Sequence, residues 1–574
     1  MPVYSIAQLL PAHIISSIIH HVPITHSKAS PITLALEPPL KSRWLTALLG
    51  ICQSWRPAAC SAFYAKVLIK LDGGSGGRYD GPAIIRAHDA IQNGCQRYVK
   101  DVLVLVEMSN FNQVWDSHTP NLASIVRDCQ QLPSVRAIAY YIVLYNIGHA
   151  MPDPDQSCSA LLIDKNVDAF ATAICETMPR FSQAVIYSQL VYVLSPPMQQ
   201  VAENVIGLLS KLIGTQPTRL SLAHVEITNR LTSITATASL QSIALSTFQG
   251  QELETALVQR NASTLERIWI ESTTPLALVA LVRLSSQPLE VCTYSRLLHF
   301  VAQWSHGQRD PDGWQPPVNP FPRLKTLTCR GSFPYTLPVV LAECQTHLCH
   351  LDIELDAVFL AALDLANVLA KGAFAKLSYL SLSWLNHAHA HPYNRNSLFY
   401  KSLDLCQNTH TLCLRWMKLA NINQLVAKVQ FPQMLHNLDM PFTMLNIDQA
   451  IAILCACPQV LKANLSLADI GAGSGKGMPA PGLLMRYQNK YTGCAARTKY
   501  LGLQSWSCRS TRRAAEFCVL LVDVIPSIAR VCISPEWHAT QNGFLKDVDM
   551  ARKRSVYDNH PHLHSVEFLS SKCW

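Results

Sequence analysis

Short apolar-alternating runs recur along most of this chain. Many are introduced by the same phrase: an apolar residue, a proline, one variable residue and a second apolar residue. Leu132-Pro133-Ser134-Val135, Phe321-Pro322-Arg323-Leu324 and Cys457-Pro458-Gln459-Val460 show it, and Phe431-Pro432-Gln433-Met434-Leu435 is a longer form. The runs alternate apolar and polar positions over about five to eight residues, the period of a strand. They fall at Val67–Leu71, Val102–Val106, Val135–Val143, Arg219–Leu222, Leu265–Ile270, Leu324–Cys329 and Leu348–Leu355. Further along come Leu377–Leu382, Thr411–Leu414, Leu435–Leu438, Val460–Leu465, Tyr500–Leu503, Ala529–Ile533 and His564–Leu569. Starts lie about 25 to 45 residues apart, and stretches such as Ala357–Leu369 and Ile447–Cys455 carry helical spacing. One such unit cannot bury its own apolar faces, so neighbours must stack. The expected fold is α/β, an irregular solenoid over 66–574, in preference to an ordinary α/β domain with parallel strands.

Residues 1–65 read differently. Ile14, Ile18 and Val22 are four apart, with Ile15 and Ile19 beside them, which predicts a helix starting near Pro11. A connector with Pro23, Pro31, Pro38 and Pro39 follows. A second helical pattern holds Trp44, Leu45, Leu48, Leu49 and Cys52, and a third holds Trp55, Ala59, Phe63 and Tyr64. A small three-helix unit is expected.

The segment Leu10-Pro11-Ala12-His13-Ile14-Ile15-Ser16-Ser17-Ile18 resembles the opening of an F-box. Ile51-Cys52-Gln53-Ser54-Trp55-Arg56 resembles its closing signature, and Val67–Leu71 resembles the first strand after it in fungal-type leucine-rich-repeat F-box proteins. The resemblance implies a substrate-recognition subunit of a Skp–cullin–F-box ubiquitin ligase. The head would bind the Skp-type adaptor through Leu10, Pro11, Ile14, Ile18, Cys52 and Trp55, and a leucine-rich-repeat-type solenoid would hold a protein substrate. The connector between Val22 and Lys41 is long and proline-rich, and the loop between the helices lacks the acidic, Asp-rich character of the family. In the repeats, the asparagine or cysteine of strict leucine-rich repeats is irregular. The alternative is a non-enzymatic repeat scaffold without a ligase, its head merely capping the first repeat.

Bulk properties bound the function class. Of 574 residues, 49% are hydrophobic and only 15% charged, which favours extensive burial over disorder. The 19 cysteines are dispersed and form no Cys-x-x-Cys pair, which predicts mostly reduced thiols and a cytoplasmic or nuclear protein. No leader is expected at Met1-Pro2-Val3-Tyr4, and no apolar run approaches the ~20 residues of a membrane helix, so no membrane partner is expected.

Apparent chemistry is sparse. Gly471–Gly477 lacks the first glycine of a phosphate loop and has Gly477 where the magnesium-binding hydroxyl belongs, and Gly73–Gly77 reads as a linker. His387, His389 and His391 alternate without a completing carboxylate or thiol. Cys344, His347, Cys349 and His350 resemble a metal cluster, but a strand through Leu348–Leu355 would send Cys349 and His350 to opposite faces. No enzyme, cofactor or metal is expected. From Lys476 to Trp574 there are 14 Lys/Arg against 7 Asp/Glu, a net of +7 out of the chain's +9. Arg509, Arg512, Arg513, Arg552, Lys553 and Arg554 are therefore candidate contacts for an acidic protein partner, in preference to nucleic acid.

Overall fold

The computed structural model describes residues 32, 55–71, 84–108, 132–144, 183–190, 218–223, 239–273, 277, 280–281, 283–284, 287–304, 320–330, 346–355, 374, 376–384, 408–415, 434–445, 447–467, 496–504, 521, 524–525, 527–533 and 565–568. The chain divides into two compact units, Met1–Leu297 and Leu298–Trp574.

Among the described residues of the first unit, parallel strands pair in chain order: β1 (Lys66–Leu71), β2 (Asp101–Met108), β3 (Ala137–Leu144), β4 (Gln183–Leu190), β5 (Arg219–Ala223), β6 (Ser242–Leu245) and β7 (Arg267–Thr273). An antiparallel pair, β8 (Arg283–Leu284) and β9 (Gln287–Val291), follows. Among the described residues, the α-helices with defined bounds here are α1 (Arg56–Phe63), α2 (Ala87–Gln92) and α3 (Glu252–Arg260). Glu254 starts α3 in a capping box, its Oε2 accepting the N–H of Gln249 at 2.7 Å and of Gln251 at 3.2 Å. Asn261 ends it, donating to the Leu257 carbonyl and accepting the Leu240 N–H.

The described residues of the second unit hold parallel strands that again pair in chain order: β10 (His299–Trp304), β11 (Thr326–Arg330), β12 (His350–Leu355), β13 (Tyr379–Trp384), β14 (Thr411–Arg415), β15 (Asn437–Leu445), β16 (Lys462–Leu467), β17 (Tyr500–Gln504), β18 (Arg530–Ile533) and β19 (Ser565–Phe568). Helix α4 (Ile447–Ala456) precedes β16 and buries Ala450, Ile451, Ile453 and Leu454. Each unit is thus α/β with a long parallel sheet and few helices, compatible with a solenoid-like arrangement.

The proline phrase explains how one strand is laid on the last. The N–H of Val135 bonds to the Leu132 carbonyl, Leu324 to Phe321, Leu377 to Phe374 and Val460 to Cys457, each closing a four-residue turn. Both apolar ends of these turns are buried; Pro133, Pro322 and Pro458 at the second position preset the turn's φ, while the sequence has Ala375 at that position between Phe374 and Leu377. The residue after the turn then offers one carbonyl to two N–H groups of the next repeat. Ser378 and Tyr379 bond to the Cys349 carbonyl, His410 and Thr411 to Ser378, Leu461 and Lys462 to His436, and Lys499 and Tyr500 to Leu461. Where threonine replaces the buried aliphatic residue, its hydroxyl is satisfied from the previous repeat. Thr409 donates to the Leu377 carbonyl at 3.2 Å and Thr498 to the Val460 carbonyl at 3.1 Å.

The expected head is described only in part. Its third helix is α1, with Ala59, Cys60 and Phe63 buried. The patterns at 14–22 and 44–52 lie outside the described residues, as does that at 357–369, so the three-helix grouping rests on sequence alone. Among the described residues Cys60, Cys95, Cys292, Cys329, Cys349, Cys413 and Cys457 are not in disulfides, and Cys455 is disulfide-bonded.

Candidate functional site

Alternation along a strand sends successive side chains to opposite faces of the sheet. In the first unit both faces are apolar near β1–β3. Val67, Val102 and Ile138 face one way; Leu68, Leu103, Leu105 and Ala139 face the other, in a buried cluster with Ile32, Ile84 and Ala244. Trp269 packs against that cluster.

The second unit is built otherwise. One face is an unbroken apolar core: Leu327, Leu351, Leu380, Leu412, Leu438 and Leu501 in one row, and Cys329, Ile353, Leu382, Leu414, Met440, Leu465 and Leu503 in the next, all at most 3% exposed. The opposite face is polar. Its central row, in register from β11 to β16, reads Thr328, Asp352, Ser381, Cys413, Asp439 and Asn464. Neighbours in this row sit about 4.8 Å apart, the interstrand spacing.

These groups are buried more than a solvent-facing row would be, and incompletely matched. Arg330 approaches Asp352 at 3.7 Å. Cys413 donates its thiol to Asp439 Oδ2 at 3.4 Å and receives the Arg415 Nε–H at 3.3 Å. Ser381 is fully buried; its Oγ faces the Cys413 thiol and Tyr379 without reaching hydrogen-bond geometry with either. Asp439 Oδ1 and Asn464 Oδ1 also have no hydrogen-bond partner. Buried acceptors without donors are costly, about 1–3 kcal/mol each.

Electrostatics follow from that burial. Desolvation pushes the Asp439 carboxyl above its usual range, with Cys413 and Arg415 pulling the other way. Burial, then the Asp439 charge, pushes the Cys413 thiol far up, and burial likewise raises Tyr379. A thiol held protonated is the reverse of what a nucleophile requires. The row therefore suits recognition by hydrogen bonds and charge. On its flank His350 and Tyr379 stack with ring centroids 3.9 Å apart.

Of the adaptor candidates, Trp55 is 9% exposed and sits at the N-cap of α1; Leu10, Pro11, Ile14, Ile18 and Cys52 lie outside the described residues. So do Arg509, Arg512, Arg513, Arg552, Lys553 and Arg554, the glycine loops at 73–77 and 471–477, and His387, His389 and His391. In the third cluster, Cys344 lies outside. Cys349 precedes β12, half-buried, with Sγ 3.4 Å from the His347 carbonyl, while His350 begins the strand. Among the described residues no group of three or more His, Cys, Asp or Glu side chains is placed to hold a metal ion, and no helix is long and apolar enough to cross a membrane.

The polar row was not among the sequence candidates. Its signal was present: Thr-Leu-Thr-Cys, His-Leu-Asp-Ile, Tyr-Leu-Ser-Leu, Thr-Leu-Cys-Leu and Asn-Leu-Asp-Met all place a small polar residue or cysteine between two apolar residues, and alignment of the strand starts superposes them.

No protein-family model matches the chain, and no curated protein matches it in sequence.

Proposed function

We propose that this chain is a non-enzymatic, intracellular protein-recognition protein of leucine-rich-repeat type, with the polar sheet face of the second unit as its binding surface. One observation carries the reading: near β1–β3 the first unit buries apolar side chains on both sheet faces, whereas the second keeps one face polar, with Asp352, Ser381, Asp439 and Asn464 in register along it and largely withdrawn from solvent. Such groups cost stability unless a binding partner uses them. Affinity purification of the full chain, against an Arg330→Glu/Arg415→Glu variant, tests it. The expected result is a protein partner retained by the natural chain and lost by the variant. Equal recovery from both would remove this face from the reading.

The sharper form of the proposal links that face to a Skp–cullin–F-box ubiquitin ligase through Leu10, Pro11, Ile14, Ile18, Cys52 and Trp55. The Leu-Pro and Cys-x-x-Trp-Arg motifs, in F-box order, support it. Burial of Trp55 favours the rival, a repeat scaffold whose head caps the first strands. Full-length protein is incubated with purified Skp adaptor beside a known F-box protein. Failure here alone would discard the ligase link and leave the scaffold.

A further inference from the structure

Among the described residues, the large apolar side chains left exposed are Met434 at 45%, Leu461 at 37% and Tyr500 at 45%. They are not scattered. Each lies at or just before the start of one of three consecutive paired strands, β15, β16 and β17. The shared-carbonyl pattern brings their backbones to one end of the sheet, with Tyr500 in register with Lys462 and Arg530 and Leu461 one position before Lys462. His436 accepts from Leu461 and Lys462, and Leu461 accepts from Lys499 and Tyr500. His436 Nδ1 lies 2.6 Å from the Met434 backbone carbonyl, which holds the backbone just before β15 at the same end of the sheet.

The exposed charges among the described residues beside them are basic, and the part-buried Asp439 carboxyl lies within electrostatic reach of Lys462. Lys462, Arg497 and Lys499 are exposed, and the Arg530 guanidinium lies 5.8 Å from the Tyr500 ring centroid. No Asp or Glu occurs in 434–437, 457–462, 496–500 or 527–530. Clustered exposed apolar groups mark interaction surfaces more than isolated ones do. A rim of one charge selects the opposite charge in the partner and speeds encounter.

We infer that the starts of β15–β17 form a docking patch for an acidic peptide segment carrying aliphatic anchor side chains. This rests on the protein-recognition reading and names the partner class. Two of the three apolar groups, Met434 and Leu461, are aliphatic and offer a nucleic acid base no stacking platform, and the one ring, Tyr500, is already faced by the Arg530 guanidinium. The aliphatic pair suits a leucine-like anchor, while Lys462, Arg497 and Lys499 meet its flanking carboxylates. The basic residues concerned differ from the candidate cluster at 509–513 and 552–554.

The test uses the full chain and fluorescence anisotropy with a labelled glutamate-rich peptide bearing two leucines. Comparison probes are the same peptide with lysine for glutamate, a leucine-free glutamate peptide, and a single-stranded oligonucleotide. The acidic, leucine-bearing peptide should bind tightest, more weakly as salt rises. Leu461→Ser/Tyr500→Ser and Lys462→Gln/Lys499→Gln should each weaken it by at least about tenfold, the loss expected of binding hot spots. All four positions are exposed, so melting temperatures should stay near that of the natural chain; Leu461→Gln replaces the first pair if it unfolds. Tighter oligonucleotide binding, no peptide binding, or affinity unchanged in both variants would each overturn the inference. A partner recovered by purification that is lost by Arg330→Glu/Arg415→Glu but kept by both patch variants would overturn this inference while sparing the broader reading.

Discussion

The imidazole of His350 lies flat against the Tyr379 ring, the two planes within 4° of each other. Burial holds His350 below its usual 6.5, helped by His299 and opposed by the Asp352 charge. For a base depressed in the folded state, the unfolded chain takes up the proton first. Stability from keeping His350 neutral is therefore complete above pH 6.5 and is lost as pH falls through that value towards the folded one. His350→Phe keeps a ring on Tyr379 and removes the proton site. Thermal melts across this range should show the natural chain losing stability on acidification relative to the variant. Parallel curves would refute the assignment.

Asp439 has the opposite sense. Its carboxyl is raised by burial, so its charged form costs stability at neutral pH, and that cost grows as pH rises from 3.8 through the folded value. Asp439→Asn removes the charge and brings a side-chain N–H to a neighbourhood that includes the unpartnered Asn464 Oδ1. The expected outcome is a gain of about 1 kcal/mol at neutral pH, read as a higher denaturant midpoint, shrinking on acidification. A loss of stability would show the carboxylate to be held by more than its burial allows.

Two glycines separate backbone strain from crowding. Gly94 and Gly250 have φ of 64° and 76°, but a Cβ on Gly94 meets nothing within 4 Å while one on Gly250 would lie 2.7 Å from the Ala277 Cα. Gly94→Ala should cost only the left-handed backbone, about 1–2 kcal/mol. Gly250→Ala should cost more, because the backbone of Ala277 must also move. Equal losses in urea titrations would contradict the close approach.

Trp55→Ala should lower stability by about 3–5 kcal/mol, as truncation of a buried aromatic does. Any loss of adaptor binding by this variant counts only if circular dichroism and melting show a folded chain. A fully stable Trp55→Ala would place the ring outside the core and strengthen its candidacy as a contact.

The strands were legible because their alternation is strong, yet the sequence placed several starts two residues early. Leu324, Leu348, Leu377, Leu435 and Val460 are as buried as strand residues, and pattern alone does not separate them from the strand; their N–H groups, where described, close the preceding turn. Strand β10 follows Tyr294-Ser295-Arg296-Leu297, which makes the same turn without proline, its N–H bond running from Leu297 to the Tyr294 carbonyl, and its Phe300-Val301-Ala302 run lacks the alternation that made other proline-free strands legible. Strands β4 and β6 likewise lack the phrase. The polar row escaped notice because Asp352, Ser381 and Asn464 are far apart in sequence and meet only through register. The contrast between the two units was hidden for a related reason. Val67-Leu68-Ile69 and Leu380-Ser381-Leu382 both read as strands, and only the middle residue tells whether the second face is apolar.

One carbonyl serving two N–H groups of the following repeat has a consequence for descent. Register is set again at each strand start, whatever length of chain came before: 24 residues separate His350 from the start of β11 at Thr326, and 38 separate Tyr500 from Lys462. Insertions and deletions upstream of a turn can therefore accumulate without displacing the polar row. Losing a hydrogen-bonding N–H at a strand start, as proline at Tyr379 or Thr411 would cause, interrupts the row at once. Related chains should accordingly differ widely in the length between strands while refusing proline at these few positions.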